Sequence, residues 1–266
     1  MGKIDKVLTR LKAEAAGSDT PAAANETSRE SIARTDLSSF PTLAIDHSHV
    51  QDHRVVGFGG VSPNALSAYR MIRTRLLQSM RTNHWRSIAV SSAGMGEGKS
   101  LTSINLALSL SREGNQNVFL VDLDMRRPTI CKYLGVYPKR GVQDYFDGHT
   151  DAASIFFRIG APGLVVATVT ESRDNSSELL SSDRLPQIID YVFNVDPKAV
   201  LLFDMPPLLV ADDALAVMPR VDAILLVATE GKTKRADLAA TIELVQQFGL
   251  AGVVLNASAE SVAHYY

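Results

Sequence analysis

The chain has 266 residues, of which 45% are hydrophobic and 21% charged, a composition that suits one α/β domain with additional segments. The formal net charge of −2 provides no overall basic field, so no nucleic-acid partner is expected. The single cysteine excludes an internal disulfide, and no apolar run approaches the roughly 18–20 residues of a membrane span, so we expect a cytoplasmic protein.

The first 54 residues predict an N-terminal region outside the main domain. Apolar side chains recur at helical spacing in a short basic segment, at Ile4, Val7, Leu8 and Leu11. This amphipathic helix would dock on a partner or a membrane surface, or remain a weakly ordered terminus, since about 12 residues are marginal as an isolated helix. From residue 13 to about residue 53 the chain is polar with little apolar periodicity, which indicates a flexible linker.

Order resumes at residue 55, and a helix is predicted to begin at Ser62 and Pro63, which form a typical helix start. Arg70 and Arg73 lie three positions apart and therefore share one face of this helix. They form either a solvated charged edge or a contact between subunits.

A glycine-rich stretch, AGMGEGKS at residues 93–100, lies between the apolar run 87–90 and the apolar-periodic segment 101–110. Strand, glycine-rich turn and helix is the context of a phosphate-binding loop, which disfavours an ordinary surface loop. The glycines let successive N–H groups point at an anion, and the helix N-terminus adds partial positive charge. Lys99 can reach the β- and γ-phosphates, and Ser100 can bind Mg²⁺. The residues expected to bind the nucleotide here are Gly94, Met95, Gly96, Glu97, Gly98, Lys99, Ser100 and Leu101.

Further apolar runs alternate with helical patterns along the rest of the chain. They lie at residues 118–121, 164–169, 200–203, 224–227 and 252–255. Near-continuous apolar strands interleaved with helices predict an α/β fold, with a mainly parallel central sheet and helices on both faces. Ligands of such sheets bind at the carboxyl ends of the strands.

Acidic residues stand where two of these strands end. Asp122 and Asp124 follow one run, and Asp204 follows another. Mg²⁺ prefers a few carboxylates together with water and phosphate oxygens, and a hydrophobic strand ending in an acid is a usual metal-positioning motif of P-loop enzymes. Each acid alone could be a helix cap or a turn residue. Three of them at strand ends, in a chain with a P-loop, favour a magnesium site.

Together these motifs resemble the nucleotide motifs of bacterial tyrosine kinases, the BY-kinases associated with capsule and exopolysaccharide export. The resemblance rests on the loop around Lys99, on VFLVDLDMRRP at residues 118–128, and on FDMPP at residues 203–207. The second motif, with its double arginine, is the most specific. The resemblance runs from about residue 61 to residue 256, and it implies the P-loop NTPase fold. It also includes the segments 68–73, 177–180 and 252–256.

The resemblance implies that ATP and Mg²⁺ are the cofactors. Lys99 and Ser100 would bind the phosphates and the metal. Asp122 would assist or deprotonate the tyrosine hydroxyl, or join Ser100 and Asp204 as a metal ligand, and Asp124 would help to organise the metal. By the same resemblance, Asn256 would lie near the adenine, and Arg126 would lie near the phosphates or the incoming tyrosine.

The resemblance also implies an organisation and a set of partners. Residues 55–258 would form the kinase domain, preceded by the helix and linker of residues 1–54 and followed by a tail, residues 259–266. Tyr265 and Tyr266 in this tail would be the phosphoacceptors. The implied partners are other copies of the chain, a membrane-embedded polysaccharide co-polymerase that regulates chain length and activates the kinase, and a phosphotyrosine phosphatase. The co-polymerase would recruit the protein to the inner face of the cell membrane.

Three departures from the family pattern leave other functions open. Ser67 stands where the subunit-contact motif Glu-x-x-Arg-x-x-Arg has its acid, the tail has only two tyrosines, and a separate rather than a fused membrane activator is expected. The favoured function is an ATP-dependent protein-tyrosine autokinase that regulates exopolysaccharide polymerisation and export. One alternative is a partitioning or division-site ATPase, but that class carries an early loop lysine where this chain has Gly94. The other is an ATP-binding scaffold of the export complex without significant kinase activity.

Overall fold

A seven-stranded sheet lies at the centre of the computed structural model, which describes residues 34–56, 58, 62–113 and 116–258. Its order is β3-β4-β2-β5-β1-β6-β7, and every neighbouring pair is parallel except β3 and β4. The strands are β1 Ser87–Ser92, β2 Val118–Asp122, β3 Phe157–Arg158, β4 Leu164–Ala167, β5 Val200–Asp204, β6 Ala223–Thr229 and β7 Leu250–Asn256. The predicted α/β fold with a mainly parallel sheet is confirmed. The two-residue strand β3 was not among the predicted strands.

Helices cover both faces of the sheet, as predicted. Successive residues of β1 point to opposite faces of the sheet. Ile88 and Val90 belong to one hydrophobic cluster, and Ala89 belongs to the other. No helix among the described residues is both long and apolar enough to cross a membrane. The helices are α1 His47–Asp52, α2 Pro63–Asn83, α3 Lys99–Ser111, α4 Ile130–Leu134, α5 Val142–Phe146, α6 Ser176–Ser181, α7 Arg184–Val195, α8 Asp213–Val217 and α9 Arg235–Val245.

Helix α2 begins where its sequence predicts. The Ser62 hydroxyl accepts a hydrogen bond from the Ala65 N–H at 3.3 Å, and Pro63 occupies the first helical position, where a missing N–H costs nothing. The helix ends at Asn83, and its C-cap residue His84 adopts the left-handed conformation. Leu76 and Leu77, about two helical turns before this end, are buried and fix the helix on the sheet.

The strand register brings the sequence motifs to one edge of the sheet. Asp122 at the end of β2 lies directly opposite Asp204 at the end of β5. Val90 of β1 lies on the other side of Asp204 in the same row. Since the glycine-rich loop follows β1, the loop and the two carboxylates meet at the carboxyl ends of three adjacent strands.

Residues 34–53 belong to the folded domain, which differs from the flexible linker expected there. Leu37 and Phe40 are buried in the cluster on one face of the sheet, and Val50 of α1 is buried in the cluster on the other. The Phe40 ring packs edge-on against the Phe119 ring of β2, with 6.0 Å between centroids. These anchors are isolated apolar residues in a polar stretch, so they produced no periodic signal. The expected N-terminal helix and the tail tyrosines lie outside the described residues.

The packing of Phe40 gives a direct test of this boundary. Phe40→Ala should lower the free energy of unfolding by about 3 kcal/mol, because it leaves a cavity between two aromatic rings of the core. Urea denaturation measures the change, and Tyr137→Ala is the control because the Tyr137 side chain is 87% exposed. Equal stabilities of the Phe40 variant and the unmodified protein would show that this segment is a linker after all.

Candidate active site

The glycine-rich loop connects β1 to α3 with a backbone that only glycine adopts easily. Gly96 and Gly98 have φ of +67° and +83°, in the left-handed region. A Cβ at Gly98 would lie 2.1 Å from the Asn256 amide nitrogen, so a side chain there has no room. Gly98 is the N-cap of α3 and provides no side-chain cap, so the first N–H groups of this helix remain available to an anion.

Lys99 is held at the base of this loop by an acidic partner. Its ammonium lies 2.5 Å from Asp124 Oδ2 and 3.4 Å from the Ser100 hydroxyl, and both members of the ion pair are almost fully buried. Burial acts to lower the pKa of Lys99, but the charges of Asp204 and Asp124 outweigh it and the pKa is raised. Lys99 therefore remains charged.

Asp122 and Asp204 are fully buried and only half satisfied. Asp204 Oδ1 accepts a hydrogen bond from the Ser103 hydroxyl at 2.9 Å, and Asp122 Oδ1 accepts one from the Asp124 N–H at 3.1 Å. The Oδ2 atom of each has no hydrogen-bond partner among the described residues. Buried carboxylate oxygens without partners are costly, so a native protein that keeps two of them side by side has a reason to do so.

The electrostatics of this pair indicate a cation. Burial raises the pKa of Asp122 well above its ordinary value, and the charges of Asp204 and Asp124 raise it further. Burial also raises the pKa of Asp204, although Lys99 opposes the effect. Mg²⁺ prefers carboxylate and hydroxyl oxygens, and the unpartnered oxygens of Asp122 and Asp204, with the Ser100 hydroxyl beside them, fit that preference.

A cavity of about 420 Å³ opens in front of these groups. Asp124 is the only one of the three predicted acids that lines it; Asp122 and Asp204 lie behind, fully buried. Sequence reasoning missed Tyr133, because the five-residue helix α4 is too short to show a periodic pattern. The cavity lining includes Gly96, Gly98, Lys99, Ser100, Arg126 and Tyr133.

Arg126 lies in the wall of this cavity with its guanidinium already engaged. It forms ion pairs with Asp212 at 2.9 Å and with Asp213 at 3.2 Å, and its Nε donates to the Ser176 hydroxyl at 3.0 Å. The Ser176 hydroxyl in turn donates to Asp213 at 2.8 Å. The side chain is therefore fixed at the start of α8. Its expected contact with phosphate or tyrosine stays a prediction.

Asn256 ends β7 directly against the glycine-rich loop. Its amide nitrogen donates to the Glu97 carbonyl at 3.2 Å, and its Oδ1 accepts from the Ala257 N–H at 2.9 Å. Both ends of the amide thus have partners in the chain, and the expected approach to adenine stays a prediction. Of the other loop residues, Met95 is exposed at the cavity mouth and Leu101 packs against the core beneath α3.

The two arginines of α2 differ in their surroundings. Arg70 is exposed. Arg73 forms an ion pair with Glu113 at 2.8 Å and donates to the Ser109 carbonyl at 3.3 Å, so it fastens α2 to the end of α3. Of the two residues expected at a subunit contact, Arg70 is exposed and Arg73 is engaged within its own domain.

Removal of one buried charge tests the electrostatics of the acidic pair. Because the folded protein raises the pKa of Asp122, ionisation of this group at neutral pH destabilises the metal-free fold. Asp122→Asn should therefore raise the melting temperature of metal-free protein by about 2–4 °C, the shift that about 1 kcal/mol produces in a domain of this size. Added Mg²⁺ and ADP should stabilise the unmodified protein more than the variant, as measured by differential scanning fluorimetry.

The control for this test is Asp190→Asn, which removes the same charge from an exposed position on α7. The melting temperatures of Asp190→Asn, without metal and with Mg²⁺ and ADP, should equal those of the unmodified protein under the same conditions. A lower melting temperature for metal-free Asp122→Asn would mean that the carboxylate is stabilised by partners within the chain.

Comparisons with known proteins extend over this whole site. A family model for ParA, described as NUBPL iron-transfer P-loop NTPase, matches residues 83–264. The chain is 30% identical over 200 residues to tyrosine-protein kinase CpsD of Streptococcus agalactiae serotype Ia, covering 74% of this chain and 84% of that protein. It is 28% identical over 195 residues to tyrosine-protein kinase etk of Escherichia coli K12, covering 73% of this chain and 26% of that protein. The solved kinase domain of Escherichia coli tyrosine kinase ETK matches with a TM-score of 0.66 at 25% identity, covering 76% of this chain and 80% of that chain.

Proposed function

Because the chain belongs to the family of bacterial tyrosine kinases, on the ParA-type branch of the P-loop NTPases, we propose that it is a protein-tyrosine kinase. It transfers the γ-phosphoryl group of MgATP to a tyrosine hydroxyl. The observation that carries this proposal is the pair of half-satisfied carboxylates, Asp122 and Asp204, beneath a P-loop lysine. Phosphoryl transfer requires positioning and charge neutralisation more than covalent chemistry, and this site is built from such groups.

The glycine-rich loop and the start of α3 bind the nucleotide phosphates through their N–H groups. Ser100, Asp122 and Asp204 would hold Mg²⁺, which would neutralise charge on the phosphates when bound. Lys99 leaves Asp124 and binds the terminal phosphate oxygens, since a buried ammonium that is already charged needs no proton transfer to do so. The ion pair between Lys99 and Asp124 thus belongs to the nucleotide-free state.

Exposure separates the task of Asp122, the last residue of β2, from that of Asp124, two residues later. The full burial of Asp122 beside Asp204 favours metal binding over contact with an incoming tyrosine. Asp124 lines the cavity, and its Oδ2 becomes free to accept a hydrogen bond or proton from the tyrosine hydroxyl once Lys99 has moved. A phenol with a pKa of about 10 needs such help to attack at neutral pH.

The acceptors that we propose are Tyr265 and Tyr266 of a neighbouring copy of the chain. Strand β7 ends at Asn256 beside the glycine-rich loop, and the tail that carries the two tyrosines begins three residues later in the sequence. Each phosphorylated tyrosine gains about 1.5–2 negative charges, enough to repel neighbouring copies or weaken a docking contact. This switch would regulate exopolysaccharide or capsule polymerisation and export, with a membrane-embedded co-polymerase as activator at the inner face of the membrane and a phosphatase to reset it.

Phosphotyrosine mapping tests the proposed activity. Purified protein incubated with MgATP, with and without the cytosolic segment of a candidate co-polymerase, should acquire phosphate at Tyr265 or Tyr266, as shown by mass spectrometry. Lys99→Met should reduce the signal by at least about 100-fold, because the transferring phosphates lose the ammonium that binds them. The double change Tyr265→Phe and Tyr266→Phe should remove the acceptors while nucleotide binding persists.

Two outcomes of this assay would favour the other functions. ATP hydrolysis without phosphotyrosine under every condition would point to a partitioning-type ATPase, in spite of Gly94. ATP binding with neither hydrolysis nor phosphotyrosine would point to a regulatory scaffold. Phosphate on tyrosine that persists in Lys99→Met would come from a contaminating kinase.

The surroundings of Arg70 and Arg73 make separable predictions about assembly. Arg70→Ala should lower the mass measured by light scattering if this exposed residue contacts a neighbouring copy, and it should leave stability within about 0.5 kcal/mol. Arg73→Ala should lower the free energy of unfolding by about 1 kcal/mol, since it frees Glu113 and the end of α3. An unchanged mass for Arg70→Ala would refute its part in a subunit contact.

A further inference from the structure

Three donors from outside the glycine-rich loop bind its outward carbonyls. The Lys232 ammonium donates to the Gly96 carbonyl at 2.8 Å. The Thr229 hydroxyl and the Asn256 amide donate to the next carbonyl, that of Glu97, at 2.8 Å and 3.2 Å. Since these donors come from β6, the turn after it and the end of β7, the loop is held from two neighbouring strands.

The turn that carries Lys232 is itself tightly closed. The N–H groups of Lys232 and Thr233 donate to the Thr229 carbonyl at 3.1 Å and 2.9 Å, and Gly231 adopts the left-handed conformation that such a turn needs. The Thr229 N–H donates to the Thr233 hydroxyl, which in turn donates to the Glu97 carboxylate at 2.7 Å. The turn is thereby attached to the side chain of Glu97 as well as to the backbone of the loop.

The geometry of the peptide unit connects these outward contacts to the phosphate side of the loop. In a trans peptide the carbonyl of one residue and the N–H of the next point in opposite directions. A donor that holds the Gly96 carbonyl outward therefore directs the Glu97 N–H inward, and a donor on the Glu97 carbonyl does the same for the Gly98 N–H. Gly96 and Gly98, which flank Glu97, line the cavity, so the two peptide units fixed in this way belong to the part of the loop that would meet a phosphate group.

We infer that Lys232 is a positioning residue of the nucleotide site, which acts by orienting the glycine-rich loop for the phosphates. The sequence motifs do not indicate this role, because 136 residues separate Lys232 from Gly96 and no sequence pattern joins the two. Its ammonium also reduces the partial negative charge of a carbonyl that borders the anion. A Cβ at Gly96 would lie 2.7 Å from this ammonium, so the contact and the glycine depend on each other. This inference rests on the nucleotide binding proposed above.

Binding of MgADP by isothermal titration tests the inference without any need for catalysis. Lys232→Met keeps the length of the side chain but removes the donor, and it should weaken MgADP binding roughly fivefold, the effect of losing one partly exposed charged hydrogen bond. Lys232→Arg should restore most of the affinity. The matched control is Lys234→Met, which makes the same charge change at an exposed lysine two residues further along.

Inorganic pyrophosphate separates an effect on the phosphates from one on the base. As a competitor of MgADP it should lose affinity for Lys232→Met by the same factor as MgADP, because it meets only the phosphate cradle. The inference is overturned if Lys232→Met binds MgADP as tightly as the unmodified protein, or if Lys234→Met is weakened equally. It is also overturned if ADP binding falls while pyrophosphate binding does not. Melting temperatures of the variants should be unchanged, and a large decrease for Lys232→Met alone would assign the lysine to folding instead.

The same measurements distinguish this inference from the proposed kinase activity. If the unmodified protein binds MgADP with the expected ranking of variants but forms no phosphotyrosine, Lys232 keeps its assignment and the kinase proposal fails. If phosphotyrosine forms and Lys232→Met binds MgADP normally, only the inference about Lys232 fails. If the unmodified protein binds no nucleotide, both fail.

Discussion

The burial of two carboxylates side by side at the ends of β2 and β5 is the constraint on which the rest of the site depends. The strand register places Asp122 opposite Asp204, and both carboxylates are fully buried among the apolar strands on which they lie. An unpaired buried charge is among the most costly features that a fold can contain. The surrounding core stabilises the domain enough to keep them, and a bound cation would remove much of the cost. Such a local sacrifice of stability is common at functional sites.

Lys99 connects this acidic pair to the nucleotide. In the structure it neutralises part of the negative charge by its ion pair with Asp124, at the end of the loop that we propose to bind phosphate. A metal on Asp122 and Asp204 would take over that neutralisation and leave the lysine free for the phosphates. Cation and nucleotide binding are therefore expected to support each other, since each removes a penalty that the other would otherwise meet.

The backbone of the glycine-rich loop depends on contacts that reach it from outside. The glycines allow the loop to adopt left-handed backbone conformations, but this freedom does not by itself determine where each N–H group points. The donors of β6, its following turn and β7 supply that direction through the carbonyls of Gly96 and Glu97. A loop of this kind is prepared for an anion before the anion arrives, which is the arrangement that electrostatic preorganisation requires.

Local signals in the sequence predict most of the fold and the centre of the site. The buried strands are continuous apolar runs, and the P-loop and the acids at strand ends are short motifs whose chemistry follows from the residue types. Contacts between residues that are distant in the sequence leave no such local pattern. Leu37 and Phe40 looked like parts of a linker, Arg126 gave no sign that it pairs with Asp213, and Lys232 looked like any exposed lysine. The tail tyrosines and the N-terminal helix stay predictions.

A crystal structure with MgADP is the most direct test of the central claim, that the buried acidic pair is a metal site coupled to the P-loop lysine. We predict a cation bound to the Oδ2 atoms of Asp122 and Asp204, which have no hydrogen-bond partner among the described residues. We also predict that Lys99 has moved from Asp124 to the phosphates. A nucleotide bound with Lys99 still on Asp124, and with those carboxylate oxygens still unpartnered, would contradict the account.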